Sequence, residues 1–263
     1  MKLVKTIPFG LVLAFAAQSC SQSQSTAPAV VAEIQSDTVS FQEGDSLIIQ
    51  PVQHATMVLQ YGKLVIYVDP VGGAEAFNGM PAPDLVLVTD IHGDHTDANT
   101  LAALNLANAH LVAPNAVMEM IGNIQCAGKF ALLNGDSLST KGIQIHAIPM
   151  YNLREDALKF HPKGRGNGYV ITINGERIYL SGDTEDIPEM RKLTSIDRAF
   201  VCMNLPYTMT VDQAADAVIA FKPATVYPYH YRGKDGLSDV NRFAELIHQR
   251  DSTIQVELLN WYP

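Results

Sequence analysis

Cysteine is scarce in this chain: three in 263 residues, at positions 20, 126 and 202. That excludes a small scaffold stapled by disulfides, and the 47% hydrophobic content is enough for one sizeable packed core instead. Cys202 lies in an apolar run, residues 199–203, where a buried thiol packs well, so Cys126 and Cys202 are expected to be free. Positive charge is also in short supply. Eighteen lysines and arginines face 27 acidic residues, for a formal net charge of −9, and no basic block occurs anywhere. Binding along a nucleic-acid backbone needs a cationic surface, so no nucleic-acid partner is expected. The apolar run at residues 8–17 is too short for a permanent transmembrane helix.

That run follows a short basic start, Met1 to Lys5, and leads into Ala17-Gln18-Ser19-Cys20. The pattern is an export signal over residues 1–20. Its final cysteine resembles a bacterial lipobox, which implies a lipid anchor on Cys20 as the membrane attachment and a periplasmic or outer-membrane location. Residues 21–37 are polar and rich in Ser and Gln, with little to bury, and read as a flexible tether. The remaining residues, 38–263, form one domain.

Within it, apolar alternation predicts strands over residues 46–53, 55–61 and 64–69, the last two a hairpin turning at Gly62-Lys63. A further strand over 85–89 is followed by helices over 97–108 and 114–121. Strands at 129–133 and 143–149 precede a long loop, 151–167. A second hairpin turns at Asn174-Gly175, and strands at 198–203 and 225–227 alternate with helices at 212–221, capped by Thr210, and 237–250.

The chemistry concentrates where the strand 85–89 ends. Asp90, His92, Asp94 and His95 follow it within six residues, separated by Ile91 and Gly93. A buried strand running into such a loop delivers the side chains at its C-terminal end, where α/β folds keep their sites. Gly93 is expected to permit the tight turn. The spacing D-x-H-x-D-H resembles the H-x-H-x-D-H signature of the metallo-β-lactamase superfamily, with aspartate at the first histidine. The resemblance implies an α+β, four-layer αββα sandwich with two similar halves. It also implies a site for two divalent ions, zinc first with manganese or iron as alternatives, and a hydrolase acting through a metal-bound hydroxide on a small-molecule lactone, ester or phosphodiester.

The other positions follow residue by residue. Ser181-Gly182-Asp183-Thr184 resembles the bridging-aspartate motif, and His230, closing the strand at 225–227, resembles the last histidine ligand. Where another histidine is expected after residues 143–149, the chain has Asn152, with His161 as the second choice for that role. His54, in Gln53-His54-Ala55-Thr56, resembles the Gly-His-Ala-Thr stretch of the ascorbate-6-phosphate lactonase and N-acyl phosphatidylethanolamine phospholipase D branch, which would put it near the metals. The expected ligands are thus Asp90, His92, Asp94, His95, Asp183, His230 and Asn152. Asp94, His54 and His161 are candidates for the chemistry, with Lys163 and Arg165 on the glycine-rich loop as anion-binding groups. Aspartate at position 90 is expected to add a third carboxylate charge and make the site more tolerant of harder metals. A fold kept only for binding or scaffolding is the alternative. His110 and His248 are expected to be solvated.

Overall fold

The computed structural model describes Met1, residues 31–33 and residues 40–262. The export signal and most of the tether lie outside the described residues. Val31–Glu33, inside the segment expected to be tether, form β1 and run parallel to Ser137–Ser139.

Two sheets carry the fold. In the first, β2 (Leu47–Gln53), β3 (Thr56–Tyr61), β4 (Leu64–Val68), β5 (Leu85–Leu87), β6 (His110–Ala113) and β7 (Gly128–Ala131) lie side by side in chain order. β2 to β4 are antiparallel neighbours; from β4 onward the pairing is parallel. The second sheet has the order β1, β8 (Ser137–Thr140), β9 (Ile143–Met150), β10 (Gly166–Ile173), β11 (Glu176–Leu180), β12 (Arg198–Cys202), β13 (Thr225–Tyr229) and, after a two-stranded flap of β14 (Arg232–Gly233) and β15 (Gly236–Leu237), β16 (Gln255–Val256). Among the described residues no helix is long and apolar enough to cross a membrane.

Alternation along the strands explains the layering. On β3 and β4, Met57, Leu59, Leu64, Ile66 and Val68 belong to the large core that also takes Ile145, Tyr169, Ile171 and Leu180 of the second sheet. Their sequence neighbours Val58, Val65 and Tyr67, with Val86 and Val88, face the other way and pack on Leu101 of α1 (Ala98–Ala103) and Val117 of α2 (Asn115–Ile121). After the short α3 (Pro188–Arg191), α4 (Val211–Phe221) and α5 (Val240–Arg250) bring Val218, Phe221, Phe243 and Ile247 to the large core. This is the expected αββα order. A strand with period-two side chains can be apolar on both faces only when both are covered, as here.

Thr210 caps α4, as the sequence predicts, and it also shares a reciprocal capping box with Gln213. Besides β1 and the short β14–β15 flap, β6 and β8 escape the expectations drawn from the sequence. His110, expected to be solvated, is instead buried in β6 with Nδ1 2.5 Å from Thr140 Oγ1, whereas His248 is exposed on α5. Cys126 and Cys202 are free, and burial pushes the Cys202 thiol up to about 12. At the C-terminal end of β5 the sheets are tied together: the Tyr169 hydroxyl donates to Val88 O at 2.9 Å and Asn167 N–H to Thr89 O at 3.0 Å.

Candidate metal centre

The site lies where the C-terminal ends of β5, β11 and β13 meet, each delivering one part of it. The loop after β5 supplies Asp90, His92, Asp94 and His95; the turn after β11 supplies Asp183; His230 follows β13 directly. Gly93 is not what allows the loop to turn. Its φ lies outside the left-handed region, and a Cβ there would meet open space.

Strain is found elsewhere. His54, Asp69 and His230 all adopt positive φ, 54°, 45° and 45°. Such backbone is unfavourable for residues with a Cβ, and it persists where the surroundings over-determine it.

Asp69, which the sequence reading passed over, is fully buried and organises His95. Its Oδ1 accepts the Thr89 N–H at 2.7 Å, and its Oδ2 accepts the Thr89 hydroxyl at 2.7 Å and lies 2.8 Å from His95 Nδ1. With Nδ1–H donated to Asp69, His95 turns Nε2 into the site. There it lies 3.1 Å from His230 Nε2 and 3.5 Å from Asp183 Oδ2. Asp183 Oδ1 lies 3.2 Å from His230 Nε2, and Oδ2 lies 3.2 Å from His161 Nε2. Asp94 reaches His230 Nε2 at 3.4 Å, and His54 Nε2 at 3.6 Å. On the other side of Asp183, His92 Nδ1 is 2.6 Å and His161 Nε2 3.9 Å from Asp90 Oδ2.

Among the described residues, three groups therefore have the spacing of metal ligands: His95, Asp183 and His230; Asp90, His92 and His161; and His54, Asp94 and His230. The buried chemistry of these groups fits a cation. Two imidazole Nε2 atoms 3.1 Å apart cannot both present lone pairs without repulsion. Asp183 Oδ1 and His161 Nε2 are buried with no hydrogen-bond partner. A buried polar atom without a partner is costly, and a divalent ion between these donors would satisfy them.

The electrostatics of the metal-free protein follow. Burial would raise the Asp183 carboxyl, but the facing His230 and His95 outweigh it and hold it well below the usual range. Burial opposes protonation of His95, yet Asp183 and Asp69 raise it well above 6.5. His54 goes the other way: burial, then His230, bring it down to about 4, so it is neutral at pH 7.

The loop of residues 151–165 settles differently from expectation. Asn152 does not face the cleft. Its amide nitrogen is within hydrogen-bond distance of the Ala157 and Tyr207 carbonyls, at 2.9 and 2.7 Å, and its Oδ1 is buried without a partner. Its backbone N–H donates to His161 O at 2.9 Å. That bond folds the loop back, so His161 occupies the place expected for Asn152, with Asn152 Nδ2 3.2 Å behind its Nδ1.

Lys163 and Arg165 do not line the cleft as anion-binding groups. Lys163 pairs with Glu189, Nζ to Oε1 at 2.7 Å, and Arg165 pairs with Asp90. The cleft beside the donor cluster, about 570 Å³, has Phe160 and Tyr207 on its wall and Arg232 and Lys234 from the flap at its rim. Neither of these cations is paired with a carboxylate among the described residues; the Arg232 guanidinium lies 4.1 Å over the Tyr262 ring. Gly233 allows the flap to dock, since a Cβ there would meet Leu205 O at 1.9 Å. No local pattern marks Arg232, Lys234 or Tyr262.

The β-lactamase superfamily domain profile matches residues 48–230. A candidate metal-dependent hydrolase from Parabacteroides distasonis superposes with a TM-score of 0.75 at 35% identity, covering 86% of this chain and 98% of that one. A metal-dependent hydrolase of Pyrococcus abyssi is 29% identical over 181 residues, 65% of this chain and 77% of its own length. A metallo hydrolase from Ignicoccus hospitalis, 21% identical over 81% of this chain and 94% of its own, shares the fold with a TM-score of 0.68. With its ligand-rich loop at the end of β5, its two sheets between helices and a profile match over most of its length, this chain belongs to the β-lactamase superfamily and has the metallo-β-lactamase fold.

Proposed function

We propose that the protein is a metal-dependent hydrolase that cleaves a lactone, ester or phosphodiester bond in a small molecule. The observation that carries this reading is the convergence of Asp90, His92, Asp94, His95, His161, Asp183 and His230 on one cleft from both sheets. His95, His230, Asp94 and Asp183 would hold one divalent ion, and Asp90, His92 and His161 a second, with the two Asp183 oxygens facing both groups. Zinc suits the imidazole-rich donor set, and manganese or iron suits its carboxylates. Two such ions supply Lewis acidity and an acidified water as nucleophile near neutral pH.

The chain's own residues do the rest. The Arg232 N–H donates to the Tyr262 hydroxyl at 3.1 Å, and that hydroxyl lies 2.8 Å from His54 Nδ1. With the Tyr262 hydroxyl donating to an accepting Nδ1, neutral His54 presents Nε2–H to the cleft, where it can hydrogen-bond a departing oxygen. Phe160 and Tyr207 offer an apolar wall. Arg232 and Lys234 offer charge to an anionic substituent, the part first expected of Lys163 and Arg165. We also infer export, with residues 1–20 as the signal and Cys20 as the lipid-bearing residue. A Cys20→Ser chain that still fractionated with membranes would refute the anchor.

The test is turnover. Protein stripped by chelation and reloaded with Zn²⁺ or Mn²⁺ is assayed on generic lactones, carboxylic esters and phosphodiesters. Reloading should restore activity on one class, and Asp94→Ala should lower it at least about 100-fold. Activity unaffected by chelation, or no turnover of any class by loaded protein, would refute the reading.

A further inference from the structure

Asp90 differs from the other cleft carboxylates in what faces it. It is fully buried, and the Arg165 guanidinium grips both its oxygens: Nε to Oδ1 at 3.1 Å and a terminal nitrogen to Oδ2 at 2.9 Å. The same guanidinium donates to the Phe160 carbonyl, and its side chain is only 18% exposed, so it is held in place. The fork fits because Gly166 follows at once: a Cβ there would fall 3.2 Å from Asp90 Oδ1 and 2.2 Å from the Met150 methyl. Oδ2, the oxygen nearest His92 and His161, also faces the donor cluster. Among the described residues, Asp94 and Asp183 have only imidazoles as cationic partners.

This changes the charge of the site. A bare carboxylate at position 90 would add a full negative charge to a buried cluster, where such charges act strongly. Arginine stays protonated at every accessible pH, so the Asp90–Arg165 pair is net neutral throughout. It therefore carries the same net charge as the neutral imidazole that stands at this position in the motif the loop resembles. The expectation of three uncompensated carboxylates is replaced by two.

We propose that Asp90 and Arg165 act as one net-neutral ligand unit, and that Arg165 sets the divalent-cation affinity of the Asp90–His92–His161 group below that of the Asp94–His95–Asp183–His230 group. This inference rests on the metal reading above. The two ions then bind in sequence. The group with two uncompensated carboxylates fills first, and the group shared with Arg165 fills second and more weakly.

The test is calorimetric titration of metal-free, full-length protein with Zn²⁺, comparing wild type, Arg165→Gln, Arg165→Lys and the double variant Asp90→His/Arg165→Gln. Arg165→Gln removes the charge and should tighten the weaker event about 10–100-fold, the scale of outer-shell substitutions, leaving the tighter event in place. A second event that appears only in this variant supports the proposal equally. Arg165→Lys keeps the charge without the fork and should stay within a few-fold of wild type. The double variant again has a neutral ligand and no cation, and should return the weaker event to near its wild-type affinity.

Equal shifts in the Gln and Lys variants, a weaker second event in Arg165→Gln, or one unchanged event in every protein would overturn the proposal. Should Arg165→Lys fail to fold, comparison of Arg165→Gln with the double variant still decides. Wild-type protein that binds no zinc at all would instead refute the metal reading beneath it.

Discussion

His54 shows how far single residues here depend on partners distant in sequence. Its ring is tilted by 57° against that of His230, with centroids 4.2 Å apart, and its Nδ1 meets Tyr262, 208 positions away. A neutral imidazole with its proton directed to the cleft is a useful donor only while that tautomer is fixed. His54→Ala should therefore lower kcat about 100-fold or more. Tyr262→Phe should lower it by an intermediate factor with metal content unchanged, because the imidazole remains but its tautomer is free. Full kcat in Tyr262→Phe alongside an inactive His54→Ala would show that the hydroxyl does not matter. The same distance effect explains which site residues the sequence reveals. His92, Asp94, His95, Asp183 and His230 are readable because each follows an apolar strand almost directly. The sequence names both Asn152 and His161 for the remaining position but cannot rank His161 first, because one backbone hydrogen bond within the loop decides between them. Nor is the role of Arg165 readable, since its partner Asp90 lies 75 residues earlier.

Elements were legible wherever a strong local signal marked both ends. The hairpin at Asn174-Gly175 and the helix behind Thr210 fall where turn and cap chemistry place them. β6 is only four residues long and begins with a histidine, so its pattern is lost behind the alanine-rich α1. That helix stops at Ala103 because residues 104–109 turn toward β6. The α4 cap can be measured separately from the site. Thr210 Oγ1 accepts the Gln213 N–H at 3.1 Å, and Gln213 Oε1 returns the favour to Thr210 N–H at 2.9 Å. Thr210→Ala should cost about 1 kcal/mol in urea unfolding at unchanged slope. Gln213→Ala should cost less, since the Thr210 hydroxyl still accepts the N–H of residue 213 and the cap itself stays. Destabilisation by Gln213→Ala that exceeded Thr210→Ala would show that the side chain of Gln213 matters through packing and not through the box.

At the scale of the molecule, the donor cluster is a seam. Asp94 and His95 hang from the first sheet, Asp183 and His230 from the second, and an ion among them would bind the sheets together at one end. Metal at about 1,000 times its Kd should stabilise the fold by about 4 kcal/mol, or roughly 10 °C in Tm for a domain this size. The size of that increment should depend on pH. In the metal-free protein His95 has its pKa raised well above 6.5, chiefly by Asp183 and Asp69 against the opposing effect of burial. Its contribution to stability is fully present below 6.5 and is lost as pH rises through the higher folded value. Metal binding needs the same Nε2 bare, so it releases a proton and strengthens as pH rises. The stripped protein thus loses this contribution in the direction in which the loaded protein gains affinity. Thermal melts of stripped and zinc-loaded protein, run from about pH 6 to about pH 8, should show the Tm gap widening with pH. A gap that stayed constant or narrowed would mean that His95 is not displaced from its protonated state by the metal, and that the seam is closed by other donors.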